Sequence, residues 1–181
     1  DLQWTYLFNK NDELIKLTQD GQLKLVGNAA NLTSQSEMAW YGRRQEEFNF
    51  TATASFKIPS LELNQEFGLT IFLNAKHHYN IGVKRLETGN VVFANKQIGP
   101  LSGIQAQVVY EAESIVLQIT GSPHDYHLAY GLNEHELTEL GQGEVKYLTT
   151  EVGGAFTGNF LALYASGNKQ VSQVPITVEW F

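Results

Sequence analysis

Acidic pairs are the first residues in this chain whose spacing could support chemistry. Glycoside cleavage uses two carboxyl groups about 5–10 Å apart across one cleft, and residues at i and i+2 of a strand point to the same face. Glu111 and Glu113 have that spacing but fall at a predicted hairpin tip, while Glu134, Glu136 and Glu139 fall in a polar connection. Both groups are typical of solvated turns. The sequence therefore predicts no catalytic residue in this chain.

The histidines offer metal or nucleophile chemistry. His77 and His78 are adjacent, so in a strand they point to opposite faces and cannot share one ion. His124 and His127 flank Asp125 but lack a helical context and a third ligand, which does not favour zinc. A Ser-His-Asp site has no nucleophile-elbow motif to support it. A structural calcium ion on loop oxygens stays open, but no ligand loop can be named, so no metal ligand and no cofactor is predicted.

A glycine-rich loop carries the apolar residue that is hardest to place in a core. Phe156 lies among Gly153, Gly154 and Gly158, directly before a predicted strand. The glycines give the loop a freedom that ordinary strand connections do not need. One interpretation is that another surface covers the ring. The alternative is that the ring turns inward and plugs the end of the fold.

Aromatic residues make up 12% of the chain and invite two interpretations. Four tyrosines could form a sugar-stacking platform on a concave sheet or fill a core with their hydroxyls at its edge: Tyr41, Tyr79, Tyr126 and Tyr130. Arg44 lies between apolar neighbours and is predicted to be a buried, paired arginine. Most other aromatic residues follow strand patterns and are predicted to be core: Trp40, Phe48, Phe50, Phe56, Phe72, Phe93, Phe160 and Trp180.

Turn signals about every 8–12 residues predict an all-β fold, a two-sheet antiparallel β-sandwich that spans residues 1–181 as one domain. The clearest strand covers residues 48–58, where apolar and polar residues alternate. Residues 105–110 and 114–120 predict a hairpin, and residues 134–140 a short helix. The remaining predicted strands are 22–26, 38–44, 68–73, 78–85, 91–94, 126–130, 160–165 and 176–180.

The amino-acid composition argues against several classes of partner. A net charge of −7 does not favour a nucleic-acid surface, which needs clustered Lys and Arg. No apolar run approaches the roughly 20 residues that span a bilayer, so no membrane partner is expected. The absence of cysteine excludes disulfides and favours a bacterial cytoplasmic location over secretion. The chain opens without Met, and we expect it to be part of a longer polypeptide.

Three motifs in order resemble the C-terminal domain of glycoside hydrolase family 43 β-xylosidases and α-L-arabinofuranosidases. They are Arg43-Arg44-Gln45-x-x-Phe48-x-Phe50, then Gly68-Leu69-Thr70-x-Phe72-x-Asn74 followed by His77-His78-Tyr79, and Gly153-Gly154-x-Phe156-Thr157-Gly158. The resemblance covers nearly the whole chain, from Leu2-x-Trp4 to Glu179-Trp180-Phe181. It departs from the family where Thr177-Val178-Glu179 stand in place of an Asp-x-Asp pair.

The resemblance implies a concanavalin A-like sandwich of jelly-roll type that follows a five-bladed β-propeller in the same polypeptide. The propeller holds the catalytic carboxylates, and Phe156 reaches across to help close the active-site pocket. The expected function is thus that of a non-catalytic accessory domain, in a parent enzyme that hydrolyses xylo-oligosaccharides or arabinosides during xylan degradation. The oligomeric state of the parent, a homo-oligomer included, stays open.

An independent carbohydrate-binding module is the alternative function. A sugar site needs several convergent polar groups around a ring, and the sequence alone places no such cluster. We therefore expect the chain to bind xylose and short xylo-oligosaccharides weakly or not at all.

Overall fold

The computed structural model describes residues 3–181 and places fourteen strands in two antiparallel sheets of seven. The first sheet has the order β1-β4-β13-β6-β7-β8-β9, and the second β12-β11-β10-β5-β14-β3-β2. The predicted two-sheet sandwich is confirmed. The strands are β1 (Trp4–Tyr6), β2 (Ile15–Leu17), β3 (Leu23–Leu25), β4 (Ala39–Arg44), β5 (Phe50–Lys57), β6 (Glu66–Asn74), β7 (His77–Leu86), β8 (Gly89–Ile98), β9 (Leu101–Val109), β10 (Ser114–Gly121), β11 (Asp125–Gly131), β12 (Leu137–Glu144), β13 (Phe160–Ser166) and β14 (Ile176–Trp180).

Helical structure in the described residues is limited to a 3₁₀ turn at Val145–Leu148 and a single α-helical turn, α1, at Thr150–Gly153. Neither is long or apolar enough to cross a membrane. The two turns follow one another and lead into the connection before β13.

The main core fills the space between the two sheets. Strand β10 turns Ile115, Leu117 and Ile119 inward at every second position, as a half-buried strand must. Phe56 of β5 meets Phe67 across the core with ring centroids 5.1 Å apart. This alternation is the signal that made the central strands predictable.

The outer face of the first sheet is also largely apolar. Trp40, Phe72 and Tyr164 form a second buried cluster there, together with Leu32 and Met38. The last two come from the segment of residues 28–38, which we call the crossing connection. A hydrogen bond from Ser166 Oγ to the Ala30 carbonyl, 2.6 Å long, fastens this connection to the end of β13. It therefore covers part of the face and leaves two regions of it open.

The predicted hairpin at residues 105–120 is wrong. β9 pairs with β8 at the edge of the first sheet, whereas β10 pairs with β5 and β11 in the second. The chain crosses between the sheets here, and the Tyr110 hydroxyl donates to the Ser114 carbonyl at 2.8 Å across the bend. The residue pattern marks a reversal but does not specify whether the next strand joins the same sheet.

The predicted helix at residues 134–140 is also wrong. The Asn133 side-chain oxygen accepts the backbone N–H groups of His135 and Glu136, an arrangement that mimics a backbone turn. The chain therefore reverses at once, and β12 pairs with β11. Three strands were missed altogether, β1, β2 and β12, and all lie at or beside a sheet edge.

Three side chains predicted to be buried are exposed. Phe48 precedes the start of β5 and is 67% exposed. Trp180 follows an irregularity in the pairing of β14 with β5 and is also exposed. Arg44 is exposed rather than paired, and its guanidinium lies over the ring of Phe160, 4.9 Å from the centroid. All three lie near strand ends, where alternation no longer dictates burial.

Phe48 and Phe56 provide a matched test of this correction. Phe56 is fully buried, so Phe56→Ala should lower the free energy of unfolding of the 181-residue chain by about 3–5 kcal/mol. Phe48→Ala should change it by less than about 0.5 kcal/mol, as expected at surface positions. Urea unfolding measures both, and a large cost at Phe48 would contradict the exposed position.

Candidate functional site

Phe156 is the most exposed large apolar side chain among the described residues, at 94%. Its loop, residues 154–159, begins at Gly154 with φ +67° and includes Gly158 with φ +72°, values that favour glycine. The Gly154 N–H donates to the Thr150 carbonyl at 2.9 Å and so ends α1. The chain therefore leaves the helix at Gly154, and the ring of Phe156 is not packed into the end of the sandwich.

Both ends of the Phe156 loop are held to the sandwich by hydrogen bonds. Before it, the Asn74 side-chain amide donates to the Gly153 carbonyl at 2.9 Å. After it, the Asn159 carbonyl accepts the Gln45 N–H at 2.9 Å, and the Asn159 amide donates to the Tyr126 hydroxyl at 3.0 Å. That hydroxyl in turn donates to Gln45 Oε1 at 3.0 Å. Hydrogen bonds thus hold the two ends of the loop, while its middle, with Phe156, extends into solvent.

Two concavities flank the loop. On one side lies an apolar groove of about 550 Å³, walled by aromatic and aliphatic side chains and by Ala155 and Thr157 of the loop. On the other lies a hollow of about 330 Å³ that includes Phe48 and Glu151. The groove is lined chiefly by Leu7, Phe8, Trp40, Phe72 and Phe160.

Further apolar side chains are exposed around these concavities. Phe8, 59% exposed, has a left-handed backbone with φ +68°, a strained conformation for a non-glycine residue. Phe48 and Val152 are exposed on the other side of the loop. We call Phe8, Phe48, Val152 and Phe156 the aromatic end of the sandwich.

The candidate carboxylates lie on the outside of separate connections. Glu111 and Glu113 are exposed where the chain crosses between the sheets, and Glu134 and Glu136 are exposed in the turn before β12. Glu139 lies on β12 and contacts His127 Nδ1 at 3.0 Å. None of these glutamates belongs to the aromatic end.

The histidines do not converge either. His78 is buried on β7, where its Nδ1–H donates to the Asn74 carbonyl at 3.1 Å. Burial lowers the pKa of His78 to about 4, so the ring is neutral at pH 7. His77 is its buried neighbour, and His124 is exposed in the turn between β10 and β11. Within residues 3–181, no three His, Asp or Glu side chains come together as metal ligands would.

The four tyrosines do not form a platform. Tyr79 and Tyr126 meet edge to face in the main core, 6.2 Å apart, and burial raises the pKa of both. Tyr41 stacks on Trp4 at 4.7 Å. Tyr130, by contrast, lies in the second sheet against Tyr110.

A polar hollow lies beside the apolar groove on the outer face, and no sequence motif predicted it. It encloses about 310 Å³, and its polar lining includes Glu66, His78, Asn80, Lys84 and Asn95. These residues come from β6, β7 and β8, so only the strand register brings them together. The available signal was polar side chains at alternate positions of strands that are otherwise buried.

Replacing the exposed ring should leave the fold intact. Phe156→Ala should lower the free energy of unfolding of the 181-residue chain by under about 1 kcal/mol, because the ring contributes little to the core. Leu148→Ala, in the 3₁₀ turn just before the loop, removes a side chain that is 1% exposed and should cost about 2–5 kcal/mol. Thermal or urea unfolding separates the two, and similar losses would show that Phe156 is packed inward.

Comparison with known proteins places the chain in a family. The family described as beta xylosidase C-terminal concanavalin A-like domain matches residues 1–181. The non-reducing end alpha-L-arabinofuranosidase BoGH43B of Bacteroides ovatus is 31% identical over 183 residues, covering 99% of this chain and 34% of that protein.

Solved structures agree with that assignment. The Bacteroides ovatus xyloglucan PUL GH43B structure matches 99% of this chain and 36% of its own, with TM-score 0.87 and 29% identity. A xylan beta-1,4-xylosidase from Bacillus halodurans shares the fold, with TM-score 0.86, 20% identity and coverage of 98% and 36%. The chain spans about a third of the length of these relatives. It belongs to the family of β-xylosidase C-terminal concanavalin A-like domains.

Proposed function

We propose that this chain is the non-catalytic accessory domain of a family 43 glycoside hydrolase and that Phe156 forms part of the wall of the parent's active-site pocket. The observation that carries the proposal is an almost fully exposed ring on a loop whose base is fixed. A mobile loop would place such a ring anywhere, whereas this one presents it at a defined position. Phe156 carries no ionisable group, so its role is to exclude water and to contact the sugar.

The partner that covers the aromatic end is the catalytic domain of the same polypeptide, which we propose to be a β-propeller. Continuous exposed apolar surface usually marks an interface. Here the apolar groove of about 550 Å³ adjoins the Phe156 loop, so one docked surface would cover both. The relatives support this occupant, since each contains roughly twice this chain's length beyond the matched region.

The substrates proposed for the parent are xylo-oligosaccharides or arabinosides. Support comes from the relatives, one an arabinofuranosidase and another a xylan β-1,4-xylosidase. The uncharged ring of Phe156 is compatible with either substrate. It contacts the C–H face of a sugar and forms no hydrogen bond that would distinguish one pattern of hydroxyl groups from another. We place the parent in the cytoplasm, since a chain without cysteine needs no oxidising compartment.

Loss of the Phe156 ring should impair the parent enzyme. Phe156→Ala in the full-length protein should lower kcat/KM by tenfold or more, about 1.4 kcal/mol of transition-state stabilisation. Leu101→Ala, which removes an exposed apolar side chain from the edge strand β9, is the control and should have no effect. Steady-state kinetics on an aryl xyloside and an aryl arabinofuranoside test this, and equal kinetics for the two variants would overturn the role of Phe156.

Docking of the aromatic end predicts a stability effect seen only in the parent. Phe8→Asn removes the ring, and asparagine tolerates the left-handed backbone at this position. It should leave the melting temperature of the 181-residue chain unchanged but lower that of the parent, whose domain interface should bury roughly 600–1,500 Å².

The control for this experiment is Leu17→Asn, on the edge strand β2. It also removes an exposed apolar side chain but should change neither melting temperature. An unchanged parent with Phe8→Asn would show that the catalytic domain docks elsewhere.

A further inference from the structure

The polar hollow lies beside the apolar groove on the outer face of the first sheet. The hollow extends from the start of β6 over β7 and β8 to the edge strand β9, whereas the groove is lined by β1, β4, β6 and β13. The two adjoin where the ring of His78 in the hollow stacks on that of Phe72 in the groove, with centroids 5.4 Å apart. The crossing connection lies between them, with residues 31–33 lining the hollow and residues 34–35 lining the groove. Asn95 and its neighbours lie on strands that do not line the groove, so docking that covers only the groove leaves them open.

A buried hydrogen-bond network forms the floor of the hollow. The Tyr164 hydroxyl, on a fully buried ring, donates to Glu66 Oε1 at 3.2 Å and accepts from the Asn80 amide at 2.8 Å. Glu66 Oε2 accepts from the Asn168 amide at 2.7 Å. These bonds satisfy the buried carboxylate and hydroxyl, and they fix the strands that carry the groups above them.

Three side chains of the hollow keep hydrogen-bonding capacity that no described residue uses. The Lys84 ammonium has three donors, and its one partner is Glu66 Oε2 at 3.6 Å. Asn95 donates to Asn80 Oδ1 at 3.3 Å, which leaves its own side-chain oxygen free. His78 uses its Nδ1–H on the Asn74 carbonyl, so its Nε2 is left as an acceptor that makes no hydrogen bond to residues 3–181.

We propose that the polar hollow binds a neutral polyhydroxylated ligand, the terminal ring of a carbohydrate. The free groups include donors at Lys84 and Asn95 and acceptors at Asn95 and His78. A hydroxyl group both donates and accepts, so neighbouring hydroxyls on one ring satisfy both kinds. Ile104 adds an exposed apolar wall beside them, which suits the C–H face of a sugar.

Charge and size narrow the ligand class further. The Lys84 ammonium and the Glu66 carboxylate offset each other, so the hollow favours neither an anion nor a cation. A volume of about 310 Å³ is at the lower end of the roughly 300–1,000 Å³ of ligand pockets. It accommodates one or two sugar rings rather than a long chain lying across the sheet. This site makes the chain a binding module in its own right, and it does not rest on the role of Phe156.

Titration of the ¹⁵N-labelled 181-residue chain with xylobiose, followed by amide chemical shifts, tests the site directly. We expect saturable shifts centred on Asn95 and Gly103, with a dissociation constant on the order of 1 mM. Glycerol and inorganic phosphate are the controls and should give no saturation in the same range. No saturable shift with xylobiose, shifts centred on Phe8 and Phe156, or equal binding of phosphate would each overturn the proposal.

Variants then separate the hollow from the aromatic end. Asn95→Ala should weaken xylobiose binding at least tenfold, and Ile104→Ala, which removes only an exposed wall, should weaken it severalfold without altering the fold. Gln142→Ala, an exposed amide on β12, is the matched control and should bind normally.

Phe156→Ala should also bind xylobiose normally. Loss of binding with Phe156→Ala but not with Asn95→Ala would overturn the site in the hollow while leaving the kinetic role of Phe156 standing. Normal parent kinetics with Phe156→Ala would reject that role and leave the hollow untouched.

Discussion

The first sheet must bury both of its faces, and the rest of the structure follows from that constraint. β6 contains buried residues along almost its whole length, so the second sheet can cover only half of its side chains. The other half lies on the outer face and needs a separate cover. The crossing connection supplies one through Leu32 and Met38, but eleven residues cannot cover a seven-stranded face. Two uncovered regions, the groove and the hollow, are the consequence.

The two regions differ because the outer-facing residues that line them differ. Near the start of β13, Phe160 faces Phe72 across the strand pair, and large apolar side chains left uncovered there favour docking against another apolar surface. Near its end, Ser166 faces Glu66. Buried polar groups are costly unless they are hydrogen-bonded, so that end requires a connected network. An exposed polar layer above such a network is suited to exchange water for a polar ligand.

Much of the sandwich could be predicted because alternation is a local property. The pattern in β5 predicted Phe56 as core correctly, and the apolar run of β6 indicated burial on both faces. What the pattern does not contain is the partner of each strand, so β9 and β10 were assigned to one hairpin although they lie in different sheets. Strand ends were the second source of error in the prediction. Phe48 continues the alternating pattern but precedes the first residue of β5. Phe156 could be singled out because glycines surround it. The polar hollow could not, because its residues converge only through register.

One residue contacts both the Phe156 loop and the hollow. Asn74, the last residue of β6, donates from its side chain to the Gly153 carbonyl at the base of the loop, and its own carbonyl accepts the Nδ1–H of His78 in the hollow. The same side chain also accepts the Lys76 N–H at 2.9 Å, which holds the turn between β6 and β7. Spatial connection is not by itself energetic coupling. It does mean that a change at Asn74 disturbs both regions, whereas Phe156 and Asn95 each belong to one region. The proposed pocket-wall role and the proposed glycan-binding role are therefore separable at those two side chains, although the same sheet carries both.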